Sequence, residues 1–194
     1  GVNYIDIQHR SGRYPIKDFP CVPGVEGAGY IEAVGPDVKG LKVGDAVAYV
    51  YLPIGAYARH RVLPADRMIP IPADMDLAMI GVTINRALTA QYLVKDSYPI
   101  CAGETVLVHA ATGGVGQIVV QWAKHLGAKV IGTVGSEDKK AAALALGCDT
   151  VLLNESPHLA DEVRQATADG LGVHAVYDGI GAATFERSLL SLRP

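Results

Sequence analysis

Hydrophobic and polar positions along the chain fall into two regimes. Through the first seventy or so residues, short β-branched or aromatic runs at 25–31, 45–50 and 56–62 alternate with glycine and proline. Runs of that length bounded by turn residues predict short strands of an all-β, barrel-like portion. The interspersed glycines supply its bends. Pro70 and Pro72 punctuate the chain, and Leu77, Ile80, Ile84, Leu88 and Tyr92 then recur at helical spacing, which predicts one connecting helix over 76–94. A domain boundary is expected near its end, dividing the chain into 1–94 and 95–194. Beyond Gly103 the pattern becomes a strict alternation. Strands are predicted at 105–109, 129–134, 150–153 and 173–177, and helices at 115–126, 138–146, 159–168 and 183–192. Repeated βα units of this size imply an α/β fold, a Rossmann-type doubly wound parallel sheet with right-handed crossovers.

Composition narrows the functional classes. Nearly half of the 194 residues are hydrophobic, enough for a substantial core. Glycine, 22 of 194 residues, exceeds the usual share of roughly 7%, in keeping with many tight turns. A net charge of −3, with Lys139-Lys140 the nearest thing to a basic run, argues against nucleic acid as a partner, because phosphate neutralisation needs clustered cations. Cys21, Cys101 and Cys148 are odd in number and widely spaced, so a disulfide-stapled secreted domain is not expected and a reducing cytoplasm is. Neither a basic-then-apolar leader nor an apolar run of ~18 residues is present, so no membrane partner is expected.

The sharpest local signal is the turn at 109–116, His-Ala-Ala-Thr-Gly-Gly-Val-Gly, between the apolar strand Val106-Leu107-Val108 and a helix carrying Val119, Val120, Trp122 and Ala123. Strand, glycine turn and helix in that order form the context of a dinucleotide site. Ala111 takes the first glycine position, Gly113 admits the backbone to a pyrophosphate, and Gly116 lets helix and strand pack closely. The amides of Gly114 and Val115 then face an anion at the helix N-terminus. Where an NAD-selective site carries an acidic residue at the end of the second strand, this chain has Gly135-Ser136. That small turn, with Lys139 behind it, leaves room and charge for a 2′-phosphate and points to NADPH. Glu137 and Asp138 are expected to face solvent and to stabilise the helix start.

Together with that turn, the segments Gly1-Val2-Asn3-Tyr4-Ile5-Asp6, Arg10-Ser11-Gly12-Arg13-Tyr14-Pro15, Pro23-Gly24-Val25-Glu26-Gly27-Ala28-Gly29, Gly44-Asp45-Ala46-Val47 and Ala87-Leu88-Thr89-Ala90-Gln91-Tyr92-Leu93 resemble, in order and spacing, the zinc-independent, ζ-crystallin-like quinone oxidoreductases of the medium-chain dehydrogenase/reductase superfamily. The resemblance spans essentially the whole chain. It implies that the first portion is a partial GroES-like catalytic domain, that the second is a partial dinucleotide-binding domain, and that the chain is cut short at both ends, with apolar sheet edges left uncovered. Zinc-dependent relatives carry a Cys ligand where Asn3 stands and a His ligand where Val25 stands. Asn and Val cannot replace them, so no catalytic zinc is expected. The six histidines show no ligand spacing and are expected in ordinary surface or core roles.

The resemblance further places the nicotinamide near residues 3–8, with Tyr4, Ile5 and Asp6 beside it. It adds Thr89 and Tyr92 from the connecting helix and Gly179 after the fourth strand. Asp6 is equally readable as a structural turn residue. Asn3 bonds the acceptor or the carboxamide, and Tyr14 stacks on a flat acceptor ring and hydrogen-bonds its oxygen. Many relatives have Asn-Tyr after the third strand, with Tyr on the adenosine, but here Leu153-Asn154 stands there, so Asn154 is the expected contact and adenine stacking comes from elsewhere. Arg86 replaces a common Lys and keeps its charge with a different reach. The expected reaction is hydride transfer to a small-molecule quinone. Reduction of α,β-unsaturated carbonyls or enoyl thioesters is the nearest alternative, and a nucleotide-binding relative without turnover is a third. A homodimer is the expected assembly.

Overall fold

The computed structural model describes residues 1–51 and 53–194. They form two compact units, Gly1–Asn85 and Arg86–Pro194. The division falls inside a helix.

The first unit opens with α1 (Tyr4–Arg10), a helix the sequence pattern did not predict. Its start is fixed by Asp6, whose carboxylate reaches back to the amide of Asn3, 2.9 Å away, and satisfies a donor that has no intrahelical partner. A three-stranded antiparallel sheet follows in the order β1-β2-β3, from β1 (Glu26–Tyr30), β2 (Ala46–Val50) and β3 (Ile69–Pro70). Ala28 pairs with Ala48, and Val47 with Pro70. Proline lacks an N–H to give a ladder, so Pro70 suits the edge it occupies. Val25, Val47 and Ala48 are buried.

The predicted run at 56–62 does not become a strand. The amides of Gly55, Ala56 and Tyr57 bond the carbonyls of Gly24 and Pro23, far back along the chain, and Arg61 donates to the carbonyls of Pro53 and Ile54. A strand needs a neighbouring backbone edge, and beyond Tyr57 no backbone amide up to Val62 has a backbone acceptor among the described residues. Val62, 97% exposed, shows that the alternating pattern there buries nothing.

Helix α2 (Leu77–Tyr92) forms where its periodicity predicts and runs into a π turn, Leu93–Ser97. Asp76 caps it by accepting the amides of Ala78 and Met79.

The second unit is the predicted alternation. Its strands β4 (Thr105–Val108), β5 (Lys129–Val134), β6 (Thr150–Leu153) and β7 (Ala175–Tyr177) are all parallel, in the order β6-β5-β4-β7. The helices are α3 (Gly116–His125), α4 (Lys140–Ala145), α5 (Leu159–Gln165) and α6 (Phe185–Ser191). All four are shorter than the pattern predicts: α3 loses a residue at each end, α4 begins as a 3-10 turn over Glu137–Lys139, α5 stops early at Gln165, and α6 gives up residues at both ends. Successive residues of a strand face opposite sides, so Val106, Val108, Val130 and Val134 join one core with Val119, Val120 and Ala123 of α3. Leu107 and Ile131 join a second core with Leu159 and Val163 of α5. Both faces of the sheet are thereby covered. Among the described residues no helix is long and apolar enough to cross a membrane.

Candidate functional site

In an open parallel sheet, ligands bind beyond the carboxyl ends of the strands, where the strand order reverses. Here that point lies between β4 and β7. The residues predicted for a coenzyme collect along this crest: Gly113, Gly114 and Val115 after β4, Gly135 and Ser136 after β5, Asn154 after β6, and Gly179 after β7.

The turn after β4 is built by close backbone approach. Gly113 donates its amide to the Ala110 carbonyl at 2.7 Å. A Cβ on Gly113 would stand 2.9 Å from that oxygen, and one on Gly116 only 2.3 Å from it. Side chains at these two positions would fill the turn. The amides that lead into α3, at Gly114, Val115 and Gly116, have no protein acceptor among the described residues, and the Arg86 side chain lies over Gly114, its Nε 3.0 Å from where a Cβ would be. Unsatisfied N–H groups beside a guanidinium favour an anion. From α2, Ala90 and Val94 enter the core, while Thr89 is half-buried and Tyr92 exposed.

Ser136 is half-buried, and its hydroxyl is drawn to the Asp138 carboxylate, which holds Asp138 below the usual carboxylate range. Lys139 is exposed, as are Glu137 and Asp138, with Glu137 paired to Lys140 at 2.9 Å.

Sequence reasoning missed the polar chain beneath this crest. His109 is buried, with Nδ1 2.9 Å from the Thr133 hydroxyl and Nε2 3.1 Å from that of Ser188. Thr133 in turn donates to Asn154 Oδ1, and Ser188 donates to Asp178 at 2.6 Å. Burial lowers the His109 pKa, the nearby Asp178 carboxylate opposing it. Burial alone would raise Asp178. The hydroxyls of Ser188 and Thr184 and the amides of Gly181 and Ile180 outweigh that effect and bring it down to about 2. An Asp followed by Gly at the end of an apolar strand, as at Asp178-Gly179, is the one signal that would have pointed to this turn. Because the folded pKa lies below the unfolded value, Asp178 stabilises the fold above pH 4 and loses that contribution as pH falls through 2. Asp178→Asn is therefore expected to cost about 1–2 kcal/mol at neutral pH. Its acid unfolding, followed by circular dichroism, is expected to lose part of the pH dependence between 4 and 2.

In the first unit the structure brings Asn3 and Asp6 together and leaves Tyr14 apart. Asn3 is buried. Its Nδ2 donates to Glu26 Oε1 at 2.7 Å, and its Oδ1 accepts from Asn85 Nδ2 at 3.2 Å. Glu26 Oε2 also accepts the Asn85 amide at 2.8 Å. The carboxylate of Glu26, fully buried, thus fixes which way the Asn3 amide points. Asp6 is 3% exposed, and its Oδ2 accepts from Asn3 and from the Tyr57 hydroxyl at 2.8 Å, which makes it a structural cap first. Desolvation of the Tyr57 hydroxyl, reinforced by Asp6, pushes that phenol up to about 12. Tyr4 is 73% exposed, Ile5 half-buried, and Tyr14 54% exposed with its ring edge-on to His9 at 6.4 Å.

A doubly wound sheet opened by a glycine turn, carried on one chain with a small antiparallel sheet, defines a Rossmann-type α/β protein with an appended β unit. Residues 1–73 match the alcohol dehydrogenase GroES-like domain family, and residues 114–194 the zinc-binding dehydrogenase family. A 2-haloacrylate reductase from a Burkholderia species is 42% identical across the whole chain, which covers 60% of that protein. A Pseudomonas aeruginosa quinone oxidoreductase is 41% identical, with 100% of this chain and 59% of the relative covered. The crystal structure of Escherichia coli quinone oxidoreductase complexed with NADPH superposes with a TM-score of 0.94 at 40% identity, covering 100% of this chain and 59% of that one. The chain belongs to the medium-chain dehydrogenase/reductase superfamily. It spans about three-fifths of the length of the curated relatives it matches.

Proposed function

We propose that the protein is an NADPH-dependent quinone oxidoreductase that works without a catalytic zinc. The observation that carries this reading is the glycine cradle after β4, in which the helix amides and Arg86 face an open turn that side chains at Gly113 or Gly116 would fill. The residues present fit a dinucleotide. Amides of Gly114 and Val115 hold its diphosphate, Arg86 adds charge, Ser136 and Lys139 meet a 2′-phosphate at the Gly135 turn, and Asn154 borders it. Resemblance adds Tyr4, Ile5, Thr89, Tyr92 and Gly179 as further contacts. The coenzyme, when bound, supplies a hydride from its nicotinamide ring.

The chain's own residues contribute placement. Asn3, held by Glu26 and Asn85, presents a fixed amide, and the exposed phenol of Tyr14 is free to stack on a flat ring. Neither Asn3, committed to these bonds, nor Val25, a core residue, suits a zinc ligand, so the acceptor must already be electron-poor. Quinones meet that condition. So does a double bond activated by a carboxylate, and the similarity to a 2-haloacrylate reductase favours activated alkenes as the second reading. A cytoplasmic location, in keeping with three free thiols, and a homodimer complete the proposal.

The test is turnover of the full-length protein with 1,4-benzoquinone and with 2-alkenals, using NADPH and NADH. NADPH is expected to lead NADH by about tenfold or more in kcat/KM, from the phosphate contacts, and chelators are expected to leave the rate unchanged. Activity confined to alkenals would overturn the quinone reading, and binding without oxidation by any acceptor would overturn both.

A further inference from the structure

Counting protons along the buried polar chain gives a result that its separate hydrogen bonds do not. Asp178 is an acceptor only, so the single proton of Ser188 lies on the 2.6 Å bond to it. The Ser188 oxygen, 3.1 Å from His109 Nε2, can then only accept, and Nε2 must carry a proton. On the other side of the ring, Thr133 stands 2.9 Å from Nδ1 and also bonds the Asn154 side chain, with one proton for two neighbours.

Two arrangements satisfy every atom. If His109 is an imidazolium, Nδ1–H donates to Thr133, Thr133 donates to Asn154 Oδ1, and the Asn154 NH₂ faces the Gly135 turn. The structure holds Asn154 in this orientation, with Oδ1 on Thr133 and Nδ2 4.0 Å from where a Gly135 Cβ would be. If His109 is neutral, Nδ1 accepts the Thr133 proton. The Asn154 NH₂ must then turn inward to donate to Thr133, and its carbonyl faces the turn. An outward NH₂ suits a phosphate, which only accepts. An outward carbonyl suits a ribose hydroxyl, which can donate.

We propose that His109 is a positioning residue that sets, through Thr133, which face of the Asn154 amide meets the nucleotide, so that protonation of His109 and binding of a 2′-phosphate favour each other. This rests on the dinucleotide reading of the second unit. The coupling is reciprocal, as any linkage between two binding equilibria must be. The groups around the ring pull in both directions, with burial the largest and the net effect toward the neutral ring. Asp178, from the loop after β7, and the side chain of Asn154 favour the cation. Burial and Arg187 of α6 oppose it, Arg187 being anchored on the Asn154 and Ser156 carbonyls at 2.9 and 3.2 Å. Strand β5 offers only the hydroxyl of Thr133, and Tyr177 of β7 turns its phenol away to the Tyr98 carbonyl.

The test is an NMR titration of the His109 imidazole in uniformly ¹⁵N-labelled full-length protein, alone and saturated with 2′,5′-ADP or 5′-AMP. The expected result is that 2′,5′-ADP raises the proton affinity of His109 by about tenfold and 5′-AMP does not. Thr133→Val is expected to abolish that increase while 2′,5′-ADP still binds, and Asn154→Ala is expected to abolish it with weaker binding, read at saturation; either variant suffices if the other fails to fold. An unchanged His109 in the saturated wild type, or an increase that survives in the variants as a direct effect of the phosphate charge, would overturn the coupling and leave the dinucleotide reading standing. Failure of both nucleotides to shift the amides of residues 113–116 would overturn the dinucleotide reading, and the coupling with it.

Discussion

Replacing Gly116 by alanine is expected to destabilise the second unit by about 3 kcal/mol and to weaken NADPH binding by tenfold or more. The added Cβ would stand 2.3 Å from the Ala110 carbonyl oxygen and 3.1 Å from the Ala111 Cα. Those atoms are backbone at the end of β4, where the neighbouring Ala111 amide is bonded to the Thr133 carbonyl, so no side chain can swing aside. The turn must open, and the amides of α3 move with it. Gly114→Ala provides the contrast. Its Cβ would meet the Arg86 side chain, at 2.9 Å from Cδ, which is flexible. That variant should fold nearly as well as the wild type and still lose affinity, because the guanidinium is pushed off the anion site. Thermal unfolding together with coenzyme fluorescence titration separates the two effects. A Gly116→Ala protein that keeps the wild-type melting temperature and affinity would show that the cradle is not the site.

Glu26→Ala is the second large effect. The carboxylate is fully buried and accepts from Asn3 Nδ2 and the Asn85 amide. Removing it strands two donors, each costing about 1–3 kcal/mol, for an expected loss of about 3 kcal/mol in denaturant unfolding. It also frees the Asn3 amide to rotate, so turnover should fall further than stability alone explains. Glu26→Gln keeps the shape and one accepting oxygen but sets an NH₂ against a donor, and roughly half the loss is expected. Equal unfolding midpoints for wild type and Glu26→Ala would remove the basis for an oriented Asn3.

How much of this was legible in the sequence differs between the two units. In the second, the strands at 129–134 and 150–153 form at their predicted bounds. Strand 105–109 ends one residue early, and the helices fray inward. Periodicity works there because both sheet faces are covered by helices from the same stretch of chain, so each apolar position has a nearby reason to be apolar. In the first unit the run at 56–62 reads as a strand and is not one, and α1 is missed. A strand exists only where another backbone edge is on offer, which no local pattern records. Asn3 and Asp6 were read as site or turn residues and not as the cap pair they form, and the seven residues of α1 are too few for periodicity to register.

The sequence by itself determined the alternation of strands and helices in the second unit, the glycine turn on its first strand and the absence of an acid at the end of the second, because each depends on neighbours within about twenty residues. Only the tertiary structure decided that Glu26, Asn3 and Asn85 meet across up to 82 positions of chain, and that His109 is joined to Ser188 across 79. Buried polar groups must find partners wherever the fold puts them, and which donors and acceptors converge is settled by packing rather than by order along the chain.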